Sequence, residues 1–279
     1  MTSGNAASAP NLSPADAALL ARLPPPTPTA YHRLNPLTKA VVASVTTLAA
    51  LALGGYVAPV LLFAALVLPG ALAAGVIRRV IVLAAAATLP LAIAVGLVSV
   101  FTRPGATVLF ELGPFDATLE GADFAAKVIV RLFVMAAALV LFGLTTAPRA
   151  LIADLERRGV SPRIAYALGA VLDTVPAMVE RARTVREAQW ARGLDTEGGV
   201  LRRVAGIAPL VGPVVLGALH EVERRSLALE ARGFARPGAR HLLWAPRDTS
   251  GERMARWLFV AAFVVVVVGV AGGALPRLP

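Results

Sequence analysis

Residues 40–77 read AVVASVTTLAALALGGYVAPVLLFAALVLPGALAAGVI and contain no charged side chain. At about 1.5 Å per residue, a single helix of this length would measure roughly 57 Å, nearly twice the hydrocarbon core of a bilayer. The run must therefore fold back on itself, and Gly54-Gly55 with Pro59 predict where it breaks. These residues indicate two membrane spans, the second of which ends before Arg78-Arg79.

Three more apolar runs are long enough to cross a membrane, at residues 80–101, 124–144 and 257–276. The composition agrees with this, because 16% of the 279 residues are charged and 57% are hydrophobic, whereas about a quarter of a soluble domain is charged. These values argue against an ordinary soluble enzyme, a disordered chain and a nucleic-acid binder. Cysteine is absent, which excludes disulfide frameworks, cysteine–zinc sites and cysteine nucleophiles.

The basic residues concentrate in one part of the chain, and this predicts its orientation. Residues 148–256 hold 18 of the 27 Lys and Arg, so the positive-inside rule places them in the cytoplasm. The acidic segment 102–123 is expected outside. The net charge of +10 therefore needs no nucleic acid to explain it.

The apolar runs and the distribution of charge predict an all-α fold, a polytopic membrane helix bundle of about five spans with a cytoplasmic N-terminus. Spans one to four lie in 31–147, a cytoplasmic region occupies 148–256, and the fifth span lies in 257–279. Residues 1–30 carry six prolines and no apolar core of a signal peptide, so we expect a disordered cytoplasmic tail.

Two long helices are predicted inside the cytoplasmic region, preceded by a short helix at about 148–158. Apolar runs at 164–179 and 204–219 each continue into a charged amphipathic stretch without a helix breaker, which indicates helices of about 30 residues. The alternative is that both runs are further spans. It would put residues 180–203 outside despite their six arginines, which the positive-inside rule disfavours.

Both predicted helices end in the same tripeptide, Ala191-Arg192-Gly193 and Ala231-Arg232-Gly233. Glycine can close a helix in the left-handed conformation, and arginine in the last turn faces the negative end of the helix dipole. Alanine has no bulk, so a partner surface can approach closely. The apolar residue that follows, Leu194 or Phe234, is placed for a Schellman-type contact or for a partner's pocket. Two ordinary helix C-caps are the alternative interpretation.

Several short motifs occur in an order that resembles one family, the transmembrane T component of energy-coupling factor (ECF) transporters, which includes the cobalt-type permeases. The resemblance covers about 31–273 and leaves out the proline-rich tail and 240–256. The motifs are YHRLNPLTK (31–39), TLEG (118–121) followed by Arg131, LTTAP (144–148), LERRGVSP (155–162), QWARGL (189–194) and LEARGF (229–234).

The resemblance implies an energy-coupling subunit of an ECF-type ABC importer in the cytoplasmic membrane of a prokaryote. Arg192 and Arg232, at the ends of two coupling helices, would each engage one of two cytoplasmic ATPase subunits. ATP would be bound by those partners, so no cofactor, metal or catalytic residue is expected in this chain. The cargo, a vitamin or a transition metal, would be bound by a small membrane protein, the S component.

Two more residues are candidates for a structural or partner-binding role. Arg131 lies deep in the fourth span, and the resemblance includes an arginine there. Two interpretations stay open for it: a structural partner for an acidic residue or carbonyl, and a contact to the S component. Asp173 interrupts the first long helix and is interpreted as a polar contact where the two long helices cross.

Other function classes remain as alternatives to the energy-coupling subunit. A self-contained membrane transporter is expected to carry inverted repeats and paired polar groups at the midplane, but spans one to three hold nothing ionisable. A conventional ABC permease subunit would share ATPase partners but carry a single coupling motif. A membrane-embedded enzyme would need catalytic motifs such as H-E-x-x-H or G-x-S-x-G, and none is present.

Overall fold

A computed structural model describes residues 29, 31–105, 107–112, 115–193, 200–234, 236 and 246–271. Helices dominate these residues, which confirms the all-α prediction, although one short β-hairpin was not predicted. The elements are α1 (Pro36–Ala52), α2 (Val57–Ala73), α3 (Ile77–Thr102), β1 (Val108–Leu112), β2 (Phe115–Thr118), α4 (Leu119–Thr145), α5 (Pro148–Arg157), α6 (Pro162–Ala191), α7 (Val200–Ala231) and α8 (Ser250–Ala271).

The chain divides into two compact units. The first unit comprises Met1–Thr146 and Arg247–Pro279, and the second comprises Ala147–Pro246. Residues 247–256, which the sequence groups with the charged cytoplasmic block, thus belong to the first unit. The predicted tail at 1–30, except residue 29, and the last residues of the fifth apolar run lie outside the described residues.

The first apolar run breaks where the glycines predict. Helix α1 ends at Ala52, and Gly54 and Gly55 follow with φ values of 63° and 59°, a conformation that side chains with a Cβ avoid. Helix α2 then starts at Val57, with Pro59 in its first turn, where a missing backbone N–H costs nothing. The predicted break is therefore confirmed. Inside α2, one π-helical segment covers Phe63–Val67.

Helices α3 and α4 are long and apolar enough to cross a membrane. They contain 26 and 27 residues, and only 11% and 28% of the residues in their most apolar 18-residue stretches are buried within the protein. A core helix of a soluble protein would be mostly buried, whereas these two helices are largely exposed. Pro90 is accommodated inside α3 without ending the helix.

Helix α4 packs against α1, α2 and α3 in the first unit. The shared core consists mostly of small side chains, and its buried members are Val67, Ala71, Val80, Ala84, Ala137, Ala138 and Leu141. Larger side chains on α3, such as Leu89 and Leu97, point outward. Small residues between helices and large aliphatic residues on the outside are typical of membrane bundles.

The two ends of the first unit are defined by contacts between its helices. At one end, the start of α1 meets the end of α4, because Lys39 Nζ donates to the Thr145 carbonyl oxygen at 2.8 Å. The start of α8 lies at that same end, packed against α1. At the other end, Gly121 of α4 approaches the Ser99 carbonyl of α3 so closely that a Cβ would collide with it. The β1–β2 hairpin packs there against α3.

The second unit contains the predicted short helix and the two predicted long helices. Helix α6 runs unbroken for 30 residues through Pro176, and α7 runs for 32 residues, so both long helices are confirmed. The ring of Tyr166, near the start of α6, lies 5.2 Å from the ring of Phe234, just after the end of α7. Further along, Arg181 of α6 covers Gly217 of α7. The two helices therefore run antiparallel.

Candidate functional site

The end of α6 exposes the first of the two predicted tripeptides. Arg192 N donates to the Gln189 carbonyl at 3.0 Å, and Gly193 N donates to the Trp190 carbonyl at 2.9 Å. Gly193 has a φ of 85°, so its left-handed conformation closes the helix as predicted. The side chain of Arg192 is exposed beyond this turn. The predicted contact of Leu194 lies outside the described residues.

The end of α7 has the same construction and adds a complete Schellman motif. Gly233 N donates to the Glu230 carbonyl and Phe234 N donates to the Leu229 carbonyl, both at 2.9 Å, and Gly233 has a φ of 70°. Arg232 is exposed. Phe234 is half-buried on the ring of Tyr166 and thus fixes this turn to the start of α6.

The guanidinium groups of Arg192 and Arg232 form no side-chain hydrogen bond or ion pair with any residue that the structure describes. Neighbouring arginines on α7 behave differently, because Glu221 accepts from Arg225 Nε at 2.8 Å and also pairs with Arg224. The hydrogen bond from Arg225 lowers the pKa of the Glu221 carboxyl. The two tip arginines are therefore available for charge-assisted hydrogen bonds to carboxylates or helix-end carbonyls of another protein.

The two tips lie far apart in the second unit. Arg232 precedes Phe234 by two positions, and Phe234 contacts Tyr166, which lies 26 positions before Arg192 in the same helical segment. At 1.5 Å per residue, the tips are separated by up to about 40 Å. The two arginines are therefore two separate exposed groups and do not form one site together.

Asp173 has its ion-pair partner on the short helix, where Arg149 of α5 contacts its carboxylate. The prediction placed its partner on the other long helix. Arg225 of α7 is nevertheless close enough to be affected: its hydrogen bond to Glu221 raises the pKa of the guanidinium, and the charge of Asp173 adds to this. Asp173 thus joins α5 to α6.

Arg131 lies beside the turn between α1 and α2. Its terminal nitrogen is 3.9 Å from the position that a Cβ of Gly54 would take. Its Nε is buried and has no hydrogen-bond partner in the described part of the chain. No acidic residue or carbonyl among those residues accepts from it, although the residue as a whole is only half-buried.

Sequence reasoning missed one fully buried charge in the second unit. Asp154 of α5 has no exposed surface, and its carboxylate accepts from Arg157 at 2.6 Å and from Arg158 at 2.9 Å. The spacing of three and four residues indicates a helical ion pair from sequence alone. Its burial depends on the packing of α5 against α6. Within the described ranges, no group of three His, Asp or Glu side chains could hold a metal ion.

Comparison with known proteins identifies the family. Residues 28–242 match the model of the cobalt transport protein family (CbiQ). The chain belongs to this family. The family assignment agrees with the resemblance of the motifs, and together with the two span-length helices it makes the chain a membrane protein.

Individual relatives of this CbiQ-family chain are energy-coupling factor transporter transmembrane proteins. The protein of Exiguobacterium sibiricum is 34% identical over 163 residues, which are 54% of this chain and 62% of that protein. The protein of Heliobacterium modesticaldum is 32% identical over 180 residues, 61% of this chain and 67% of the relative. That of Thermosediminibacter oceani is 24% identical over 258 residues, 88% and 93% of the two chains.

One further match is to a protein of a different description. A putative ABC transporter ATP-binding protein of Bifidobacterium longum is 27% identical over 185 residues. The matched region is 63% of this CbiQ-family chain and 23% of that protein. The chain spans about three fifths of the length of the Exiguobacterium relative and nearly all of the Thermosediminibacter one.

Proposed function

We propose that this chain is the energy-coupling transmembrane subunit of an ECF-type ABC importer. In this role, α6 and α7 are the coupling helices, and they transmit the motion of two cytoplasmic ATPase subunits to the membrane part. There a small S component that carries a vitamin or a transition metal reorients and releases its cargo. The chain itself binds no ATP, metal cofactor or cargo and catalyses no reaction.

The observation that carries this proposal is the pair of exposed helix ends, each closed by a left-handed glycine after its arginine. Each tip holds its arginine on a turn fixed by a left-handed glycine, and neither guanidinium forms an ion pair with a described residue. A separation of up to about 40 Å suits two docking partners better than one. The similarity to part of an ATP-binding protein of Bifidobacterium longum supports ABC ATPases as these partners.

The proposed topology has five spans, α1, α2, α3, α4 and α8. Contacts within the first unit support this arrangement, because the start of α1, the end of α4 and the start of α8 lie at one end. The chain passes from that end into the second unit and back, at Thr146 and Arg247. We assign this end to the cytoplasm, since the basic block follows it, and the hairpin end to the outside.

We propose that Arg131 contacts the S component in the membrane. A guanidinium in an apolar bundle needs acceptors, and Arg131, which is half-buried, forms no side-chain hydrogen bond or ion pair with a described residue. Replacing Arg131 by Met is expected to weaken binding of the S component about tenfold, the equivalent of one charge-assisted hydrogen bond. Affinity between the purified proteins in nanodiscs measures this.

Lys127→Met is the matched control for Arg131→Met. Lys127 lies one helical turn away and has a partner on its own helix, because its Nζ pairs with Asp123 at 2.8 Å. Its replacement is expected to leave the affinity for the S component within about twofold, since exposed ion pairs contribute little. Equal losses in both variants would show that Arg131 has no specific role.

The direct test of the function is purification of the tagged chain from its native host under mild detergent. Two ABC ATPase subunits and one small hydrophobic membrane protein are expected to co-purify with it. The proteins are identified by mass spectrometry, and ATP hydrolysis by the complex is measured. Purification of the chain without any ATPase, or tight vitamin binding by the chain alone, would contradict the proposed division of labour.

A further inference from the structure

A cluster of buried polar side chains lies where α1 and α8 begin. We call it the anchor cluster and define it as Asn35, Thr38, Lys39, Asp248, Glu252 and Arg256. Four of its members, including both cations, are at most 7% exposed. Buried charges are costly unless they are paired and hydrogen-bonded, so such a cluster needs an explanation beyond ordinary packing.

Lys39 connects the start of α1 to the end of α4. Its Nζ donates to the Thr145 carbonyl at 2.8 Å and to the His32 carbonyl at 3.2 Å. Both acceptors are backbone oxygens, and Thr145 is the last residue of α4. Two residues later, the chain enters the second unit at Ala147.

Asn35 makes the corresponding connection to the returning chain. Its Nδ2 donates to the Arg247 carbonyl at 3.2 Å, and Arg247 is the first residue of the chain back in the first unit. Its Oδ1 accepts from Leu37 N at 2.9 Å and caps α1, while its backbone N donates to Glu252 at 3.3 Å. Asn35 thus caps α1 and also bonds to Arg247, which precedes α8, and to Glu252, which lies in its first turn.

Arg256 completes the link between α8 and α1. Its guanidinium donates to both carboxylate oxygens of Asp248, at 2.9 and 3.1 Å, and to Thr38 Oγ1 at 2.9 Å. Both contacts to Asp248 come from Nη2, and Nη1 donates to Thr38, so one guanidinium bridges the two helix starts. The turn that leads from Arg247 into α8 is therefore held rigidly against the first turn of α1.

We propose that the anchor cluster transmits force between the second unit and the membrane bundle, by holding both chain connections to one helix, α1. Each connection carries a load whenever the ATPases move the second unit, and each is bonded next to the point where the units join. The proposal rests on the proposed function, since it assigns a path to the same motion. Lys39 and Asn35 are positioning residues in this account, and they touch neither ATPase nor cargo.

The cluster explains sequence features that the docking tips leave unexplained. The segment 31–39, YHRLNPLTK, supplies three cluster members, and the stretch 240–256, in which the sequence shows no motif, supplies the other three. A helix start that served only to enter the membrane would need no buried lysine. The ammonium of Lys39 donates to a carbonyl at the end of a different helix, α4, and so fixes the position of that helix end.

The test uses the complete complex in proteoliposomes and measures uptake per ATP hydrolysed. The tracers are radiolabelled Co²⁺, biotin and thiamine, and the one that the wild-type complex takes up is used for all variants. Lys39→Met keeps the length of the side chain but removes both donated bonds. We expect assembly and ATP hydrolysis to persist while uptake per ATP falls about tenfold or more, because both charge-assisted hydrogen bonds are lost.

Two further variants separate force transmission from simple destabilisation. Lys127→Met makes the same replacement at a lysine bonded within its own helix, and uptake per ATP should not change. Lys39→Arg retains a cation that can donate to both carbonyls, so it is expected to restore most of the uptake per ATP. Parallel loss of hydrolysis and uptake in Lys39→Met, or an unchanged ratio, would overturn the proposal.

Asn35→Ser provides an independent measurement if Lys39→Met does not assemble. Serine keeps the N-cap acceptor for Leu37 N and removes the donor to the Arg247 carbonyl. Uptake per ATP is expected to fall about threefold. A value equal to that of the wild type would contradict force transmission by the anchor cluster. If only the anchor-cluster proposal is wrong, the wild-type complex still assembles and transports. If the proposed function is wrong, the wild-type chain does not assemble with ATPases.

Discussion

Replacement of both Arg192 and Arg232 by Ala is expected to abolish co-purification of the ATPase subunits and to reduce uptake about a hundredfold or more. Each guanidinium can supply charge-assisted hydrogen bonds, of about 1.5–3 kcal/mol each, to a partner. Both side chains are exposed on turns that the substitutions leave intact, because glycine and the backbone hydrogen bonds close those turns. The folded chain should therefore lose its partners and keep its structure.

Each single replacement should reduce ATPase co-purification and uptake by much less than half as much as the double replacement does. Both tips belong to one chain, so an ATPase pair held at one tip remains at a high effective concentration near the other. The matched control is Arg183→Ala, because Arg183 lies on the same helix as Arg192, is mostly exposed and forms only a 3.7 Å pair with Glu180. Pull-down and uptake are measured for all four variants. Normal assembly and transport by the double variant would show that the tips do not dock.

Asp154→Ala is expected to destabilise the second unit by about 2–4 kcal/mol. The carboxylate is fully buried, and its removal leaves Arg157 and Arg158, both about one third exposed, without their shared acceptor. Asp154→Asn keeps a hydrogen-bond acceptor and should cost about half as much. Thermal unfolding in detergent, followed by circular dichroism and by proteolysis of the second unit, measures the loss.

Glu180→Ala serves as the control for Asp154→Ala. Glu180 is acidic, lies in the same unit and pairs with Arg183 in a mostly exposed position. Its removal should change stability by no more than about 0.5 kcal/mol, because solvent screens such pairs. If both variants unfold at the wild-type temperature, the buried pair of Asp154 contributes nothing to the second unit.

Local signals in the sequence were sufficient for the helices and their ends. The length of the apolar run 40–77 required a reversal, and Gly54-Gly55 supplied the backbone conformation for it. The glycines of the two tips likewise close their helices with positive φ values, as their position just past each predicted helix end indicated. These features depend on a few neighbouring residues, so sequence reasoning reaches them.

Features that depend on distant pairing were not predictable in the same way. Asn35 and Glu252 are 217 positions apart, and only the packing of α1 against α8 brings them together. The partner of Asp173 was expected on α7, but the fold places Arg149 of α5 against it. The short β-hairpin also went unpredicted, since its strands contain only five and four residues. In each case, the sequence specifies the groups but not their geometry.

The antiparallel course of α6 and α7 constrains how the second unit can move. Under the proposed function, a movement that draws the two tips together cannot shorten either helix, so it must change the angle between them. Arg181 Cδ lies only 3.1 Å from where a Cβ of Gly217 would be, so this contact and the Tyr166–Phe234 contact both constrain that angle. A flexible arginine on a bare glycine surface permits rotation without interlocking side chains.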